Sequence, residues 1–318
     1  MLAKFKHYLL VTKPGIVCGN LIAAAGGFLF ASQGRPDTAL LAVTVTGISM
    51  VVAAGCVFNN LADRDLDRLM ERTCNRVLAR GLMAQKIAVL YGTLLALAGF
   101  ALLGAKTNAL CVAFVLGGLF IYTVAYSLYL KRRSPLGIAI GSLAGAVPPV
   151  AGYCAAASRF DLGAFLLLTI FTLWQIPHFH AIAIFRLNDF KTAALPVLPV
   201  RRGLAVTKRH ILISITAFAT ATLLPTFFGY AGKTYLAAAA TLGITWLFMA
   251  CAGFKPGIER PWAKRLFVFS ILSIIALSAM LALDARGPSP PIIAKNDPSL
   301  SAVLSQVPQR DGDHQLYQ

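Results

Sequence analysis

The chain has 318 residues, 58% of them hydrophobic and 13% charged, with a mean hydropathy of +0.72. That balance excludes a soluble globular domain and describes a protein built to sit in a bilayer. The net charge of +17 would suit a nucleic-acid binder, but the basic residues are divided among short segments between apolar runs and form no patch of their own.

Apolar stretches of membrane-spanning length run over residues 15–32, 38–61, 86–105, 109–130, 136–157, 161–185, 209–229, 234–253 and 265–283. The fold class expected is therefore an all-α integral membrane protein with nine transmembrane helices. The first run follows a basic stretch, as a secretory signal does, but it continues past signal length and lacks a small-residue cleavage site, so it reads as a first span. Sorting the segments between spans alternately onto two sides puts 22 of the 29 Lys and Arg residues on one side. The positive-inside rule makes that side cytoplasmic, with the N-terminus inside and the C-terminus outside. Residues 1–285 read as one transmembrane domain, and 286–318, rich in Pro, Ser, Asp and Gln, as a disordered tail. The six cysteines are scattered with no paired or CxxC spacing and read as small buried hydrophobes.

The second span ends in Asn59, Asp63 and Asp67, one every fourth residue. Each such step turns a helix by about 40° beyond a full circle, so a helix continued through Asp67 points all three side chains along one face and Asp65 along the other. Two carboxylates and an amide oxygen are hard ligands for a hard divalent cation, most plainly Mg2+. Asn at membrane depth is costly unless it has work to do. The alternative is a solvated helix end whose Asp and Arg residues pair with one another.

The sixth span carries Trp174-Gln175-Ile176-Pro177-His178-Phe179-His180 and leads to Arg186, Asn188, Asp189 and Lys191. Pro177 removes a backbone donor and loosens the helix there. His178 and His180 fall on different faces, which argues against a two-His metal pair and leaves His178 as a base or as ligand to a planar metal cofactor. Arg186 and Lys191, beyond setting topology, suit phosphate or carboxylate groups. The acidic helix end and this segment follow spans two and six, a spacing consistent with a duplicated helical arrangement.

The string from Asn59 to Arg76, with its AsnxxxAspxxxAsp core, resembles the first acidic motif of the UbiA superfamily of intramembrane prenyltransferases. Cys56-Val57-Phe58-Asn59-Asn60, Asp63-Arg64-Asp65-Leu66-Asp67-Arg68, Met70-Glu71-Arg72-Thr73 and Asn75-Arg76-Val77-Leu78 resemble its haem-farnesylating branch more narrowly. Thr12 to Ile16, Tyr126 to Tyr129 with Lys131-Arg132, Gly152-Tyr153-Cys154, Trp174 to His178, Ala181 to Arg186 and Pro196 to Val200 fit the same branch. The resemblance spans about residues 8–283.

The resemblance implies a nine-helix bundle in a bacterial inner membrane, with a cavity open to the cytoplasm and to lipid. It implies Mg2+-dependent transfer of farnesyl from farnesyl diphosphate to a vinyl group of haem b, with addition of water, to give haem O. In that reading Asn59, Asp63 and Asp67 hold Mg2+ and are the catalytic residues. Arg72, Lys131, Arg132, Arg186 and Lys191 bind diphosphate, and His178 and Arg186 meet haem. A terminal oxidase or a haem A-forming enzyme is the expected partner. Quinone-pathway relatives carry a second AspxxxAsp motif; here Asp189 stands near that place, a further candidate metal ligand, with Phe185 where its partner Asp is expected. Two other readings are an aromatic-acid or quinone-precursor prenyltransferase and a secondary transporter with carboxylates inside its bundle.

Overall fold

The computed structural model describes residues 2–254 and 257–287, and within them nine helices or helix pairs are long and apolar enough to cross a membrane. A short helix α1 (Leu2–Val11) leads through Lys13, which adopts a left-handed conformation, into α2 (Pro14–Ser32), whose first residue is a proline suited to a helix start. Spans two to four are α3 (Thr38–Ala62) with a short continuation α4 (Arg64–Leu69), then α5 (Gln85–Lys106), then α6 (Ala109–Phe120) extended by a π-helical segment Ile121–Leu130 and the short α7 (Lys131–Arg133). Next come α8 (Gly137–Ala157) and α9 (Leu162–Phe185), followed by the short helices α10 (Leu187–Thr192) and α11 (Leu198–Arg201). The last three spans are α12 (Gly203–Phe227), α13 (Lys233–Cys251) and α14 (Glu259–Leu283).

The span ends explain where sequence and structure differ. At the end of the bundle away from Asp63, helices α3, α6 and α9 start on Asp37, Asn108 and Asp161, whose side-chain oxygens accept backbone N–H bonds from the first turn. There the helices stop where the apolar run stops. At the other end, α12 and α14 begin six residues before the apolar runs at 209 and 265, because Lys208, Glu259, Arg260 and Lys264 are helical but lie before the hydrophobic stretch. Apolar periodicity marks the membrane part of a helix, not its whole length.

Helix α8 is the most enclosed span; α2, α6 and α9 pack on it, and α14 returns to α2 and α9. Lipid offers no hydrophobic drive for helix association, so close packing has to supply it. The α2–α8 contact shows how. A Cβ built on Gly27 would stand 1.9 Å from the Pro149 carbonyl oxygen, and one on Gly152 would stand 2.1 Å from that of Ala24. Backbone meets backbone at both points. At the far end Ala285 pairs with Ala231, and the Arg286 N–H donates to the Tyr230 carbonyl at 2.8 Å, so ordered chain runs past 285 to Gly287. The rest of the expected tail lies outside the described residues.

Gly152→Ala should therefore weaken the bundle by about 1–3 kcal/mol, since neither backbone can yield. A lower unfolding midpoint of the detergent-solubilised protein is expected, while Gly15→Ala, with open space around the added methyl, should leave the midpoint in place.

Candidate active site

The helix expected to run through Asp67 is broken once. Helix α3 ends at Ala62, Asp63 takes φ −92° and ψ 1°, and α4 resumes at Arg64. The four-residue ladder survives the break, because the Asp63 N–H donates to the Asn59 carbonyl at 2.9 Å and the Asp67 N–H to the Asp63 carbonyl at 2.7 Å. Asn59, Asp63 and Asp67 are all buried, 4%, 1% and 1% exposed. Asp65 faces away, and two short bonds from the Arg132 guanidinium hold its carboxyl down to about 2.

Burial of two carboxylates demands compensation, and cations from three separate segments supply it. Lys131 pairs with Asp63, Arg76 places Nη1 at 2.9 Å from both oxygens of Asp67, and Lys13 donates to Asn59 Oδ1. Burial, and next the charge of Arg76, push the Lys13 ammonium down to about 8. The amide of Asn59 is oriented from behind. Its Nδ2 donates to Ser127 Oγ at 2.8 Å, and that hydroxyl spends its own hydrogen on the Tyr122 carbonyl at 2.7 Å, so Asn59 Oδ1 is turned toward Lys13. The Ser127 to Tyr122 bond spans five residues inside the π-helical segment. That wider winding, rare outside functional sites, presents Ser127 and Lys131 to Asn59 and Asp63 in parallel register.

Asp63 Oδ1 is buried without a hydrogen-bond partner among the described residues. A buried anionic oxygen left over, in a row with an amide oxygen one turn before it and a second carboxylate one turn on, fits a hard divalent cation. Among the described residues no three His, Cys, Asp or Glu side chains gather into a metal cluster. Asp189 accepts the Glu71 backbone N–H at 3.0 Å and so ties the acidic connection to the segment after span six. The other expected residues divide. Arg72, whose guanidinium is pulled down by burial, Arg76 and Arg186, lies within electrostatic reach of Asp67 and Asp189. Arg132 is turned away from the row to Asp65 and the Ala62 carbonyl, because it leaves α7 on the outer face. Lys191 is exposed on α10, and Arg186 stacks on Phe185 at 4.5 Å.

Helix α9 continues through Pro177, and its two histidines diverge: His178 faces α14 and His180 faces His210 of α12, rings 6.0 Å apart. Trp174 and His178, one turn apart, both hold Ser270. Trp174 Nε1 donates to its carbonyl at 2.8 Å, and His178 Nδ1 lies 2.7 Å from its hydroxyl. Ser270 Oγ gives its single hydrogen to the Phe267 carbonyl at 2.6 Å, so Nδ1 of His178 is the donor. That leaves Nε2 of the imidazole as the ring nitrogen without a hydrogen-bond partner among the described residues. Rings of Trp174 and Phe267, each 4.9 Å away, fix its plane.

Sequence reading alone did not assign Lys13, Arg76 or Ser127 to the row. Spacing relates residues of one helix; these three arrive from other segments. The clue was the Asn and two Asp themselves, since buried acids require cations nearby.

A model of the UbiA prenyltransferase family matches residues 20–274. The chain is 55% identical over 279 residues to the protoheme IX farnesyltransferase of Pseudomonas syringae pv. tomato, covering 88% of this chain and 95% of that one. Among solved structures, digeranylgeranylglyceryl phosphate synthase superposes with a TM-score of 0.72 at 18% identity over 88% of this chain and 99% of its own. A UbiA homolog from Archaeoglobus fulgidus bound to GPP and Mg2+ gives 0.61 at 18% identity over 86% and 99%. With nine helices among the described residues long and apolar enough to cross a membrane, an AsnxxxAspxxxAsp row at one end, and a match over most of its length to that family and to such relatives, the chain belongs to the UbiA prenyltransferase family and, within it, to the protoheme IX farnesyltransferases.

Proposed function

We propose that this chain transfers the farnesyl group of farnesyl diphosphate to a vinyl group of haem b, with addition of water, giving haem O and diphosphate. The observation that carries the reading is the buried row Asn59, Asp63 and Asp67 with one carboxylate oxygen unpartnered, in a chain 55% identical to a protoheme IX farnesyltransferase. In the reaction the allylic C–O bond breaks and its electron pair leaves with diphosphate. The farnesyl carbon bonds to the vinyl terminus, the cation left beside the macrocycle takes the oxygen of water, and one proton departs.

Asn59 Oδ1, Asp63 and Asp67 would hold Mg2+, which when bound offsets charge on the departing diphosphate. Lys13, Lys131 and Arg76 already face that row, so they meet the anionic oxygens as charge builds on them and stabilise the departure electrostatically. Arg72, within electrostatic reach of Asp67, extends the positive wall. The apolar bundle keeps bulk water from the cation. His178, with Nε2 free and its ring plane fixed, binds haem through the iron. The 22 basic residues on the site's side of the spans support a site facing the cytoplasm of a bacterial inner membrane. Haem O would pass to a haem A-forming enzyme or a terminal oxidase. The carboxylates stand at a span's end among arginines rather than at mid-membrane, which favours chemistry over transport.

Asp63→Ala and Asp67→Ala should each lower turnover by at least about a hundredfold, the scale of losing one charge-stabilising group, with the size-exclusion profile unchanged. Mass spectrometry of haem extracted after incubation with haem b, farnesyl diphosphate and Mg2+, against an EDTA control, measures it; Mg2+-dependent turnover retained in both variants would refute the assignment. Ser270→Ala frees the His178 ring and should raise the KM for haem b and alter the bound-haem absorption spectrum in the direction seen for His178→Ala. An unchanged KM and spectrum in His178→Ala would remove haem from that residue.

A further inference from the structure

A cavity of about 330 Å3 opens between the end of α9, the start of α14 and the Glu71 turn. Phe185 forms part of its wall and carries two guanidinium groups, Arg186 at 4.5 Å and Arg260 at 5.9 Å from the ring centroid. Arg186 is its chain neighbour, whereas Arg260 is brought from the first turn of α14. Two like charges gathered on one ring repel each other; the Glu71 carboxylate stands on the cavity rim, and the other two acids of the lining are engaged elsewhere. Glu259 pairs with Lys208 at 3.2 Å. Asp189 accepts the Glu71 N–H and lies within electrostatic reach of Arg72. Among the described residues neither Arg186 nor Arg260 makes an ion pair or a side-chain hydrogen bond. An aromatic face holds a guanidinium without consuming its N–H donors, so both forks remain available for carboxylates.

We propose that Arg186 and Arg260, seated on Phe185, form a clamp for the paired carboxylates of a planar tetrapyrrole, which under the function proposed above are the two propionates of haem b. Arg260 is thus a substrate-binding residue contributed by the last span. The cavity takes the carboxylate arms, and the macrocycle extends past it into the bundle. Glu71, on its rim, follows Asp67 by four residues, so a haem anchored here lies beside the diphosphate row. Binding by carboxylates also sets orientation, because the propionates lie on one edge of the ring and the vinyl groups do not share it.

The test uses full-length protein in detergent. With farnesyl diphosphate and Mg2+ saturating, Arg260→Gln should raise the KM for haem b about tenfold or more, the loss expected for a charge-assisted carboxylate contact. The KM for farnesyl diphosphate should stay near that of the wild type, and Arg260→Lys should recover part of the loss. Haem b dimethyl ester, its carboxylates blocked, should show the raised KM already in the wild type, with no further rise in Arg260→Gln. An unchanged KM for haem b, or an equal penalty for diacid and ester, would overturn the clamp. Fluorescence quenching of protoporphyrin IX separates this from the reaction itself. Weaker binding by Arg260→Gln than by wild type supports the clamp even if the wild type forms no haem O, which would strike at the proposed function alone. Equal binding by both proteins overturns the clamp.

Discussion

Two carboxylates buried at the end of a membrane span are the constraint on which the rest of the site depends. Leaving either unpaired in a low-dielectric interior would cost about 3–5 kcal/mol, so the fold has to deliver a cation to each. It draws Arg76 to Asp67 from the turn-rich connection after α4 and Lys131 to Asp63 from the end of span four, while Lys13 of the N-terminal segment meets Asn59 in the same row. Those pairings hold three otherwise separate segments at one end of the bundle. The same cations that make burial tolerable are those a diphosphate needs, so under the proposed function folding and substrate binding would draw on one set of charges.

Positioning Lys131 depends on an unusual piece of backbone. A regular helix would bring a different face of span four to α3; the π-helical winding over Ile121–Leu130 sets Ser127 against Asn59 and Lys131 against Asp63 together. Ser127 orients the amide and Lys131 neutralises the acid. Such winding has poorer hydrogen-bond geometry than an α-helix, and it is kept here where two site contacts rely on it. The glycine contacts between α2 and α8 act at the opposite scale: they fix the frame, and the site at its end inherits that rigidity.

How much of this was legible in the sequence follows from which interactions are local. The nine spans were legible because apolar length is a property of one segment, and the acidic row because four-residue spacing is a property of one helix. The break at Asp63 was not, since the two backbone bonds across it preserve the spacing that a continuous helix would give. Arg132 and Lys131 are adjacent and chemically alike, yet one reaches Asp63 and the other the exposed Asp65. Their helical position relative to α3 decides that, and no single-segment pattern contains it. For the same reason Lys13, Arg76 and Ser127 could not be ranked above other polar residues until the segments were brought together.

Phe185 shows how a small change of residue type can alter what one wall of the site recognises. In the resemblance to the family's quinone-pathway branch this position is where a second acidic motif would place an Asp, a ligand for metal. A phenyl ring cannot bind Mg2+, but its negative face attracts guanidinium groups, and two of them lie there. Asp189, the acid that remains, is occupied with the Glu71 backbone. The Phe185 wall is therefore electropositive, suited to an anionic acceptor rather than to a second metal-bound diphosphate oxygen. An acceptor with carboxylates at one edge would be drawn to this wall, while under the proposed function the farnesyl donor would be held by its diphosphate at the row. Placing the two anions on separate cationic surfaces keeps them from competing for the same arginines and lysines, and leaves the apolar space between them for the carbon atoms that must meet.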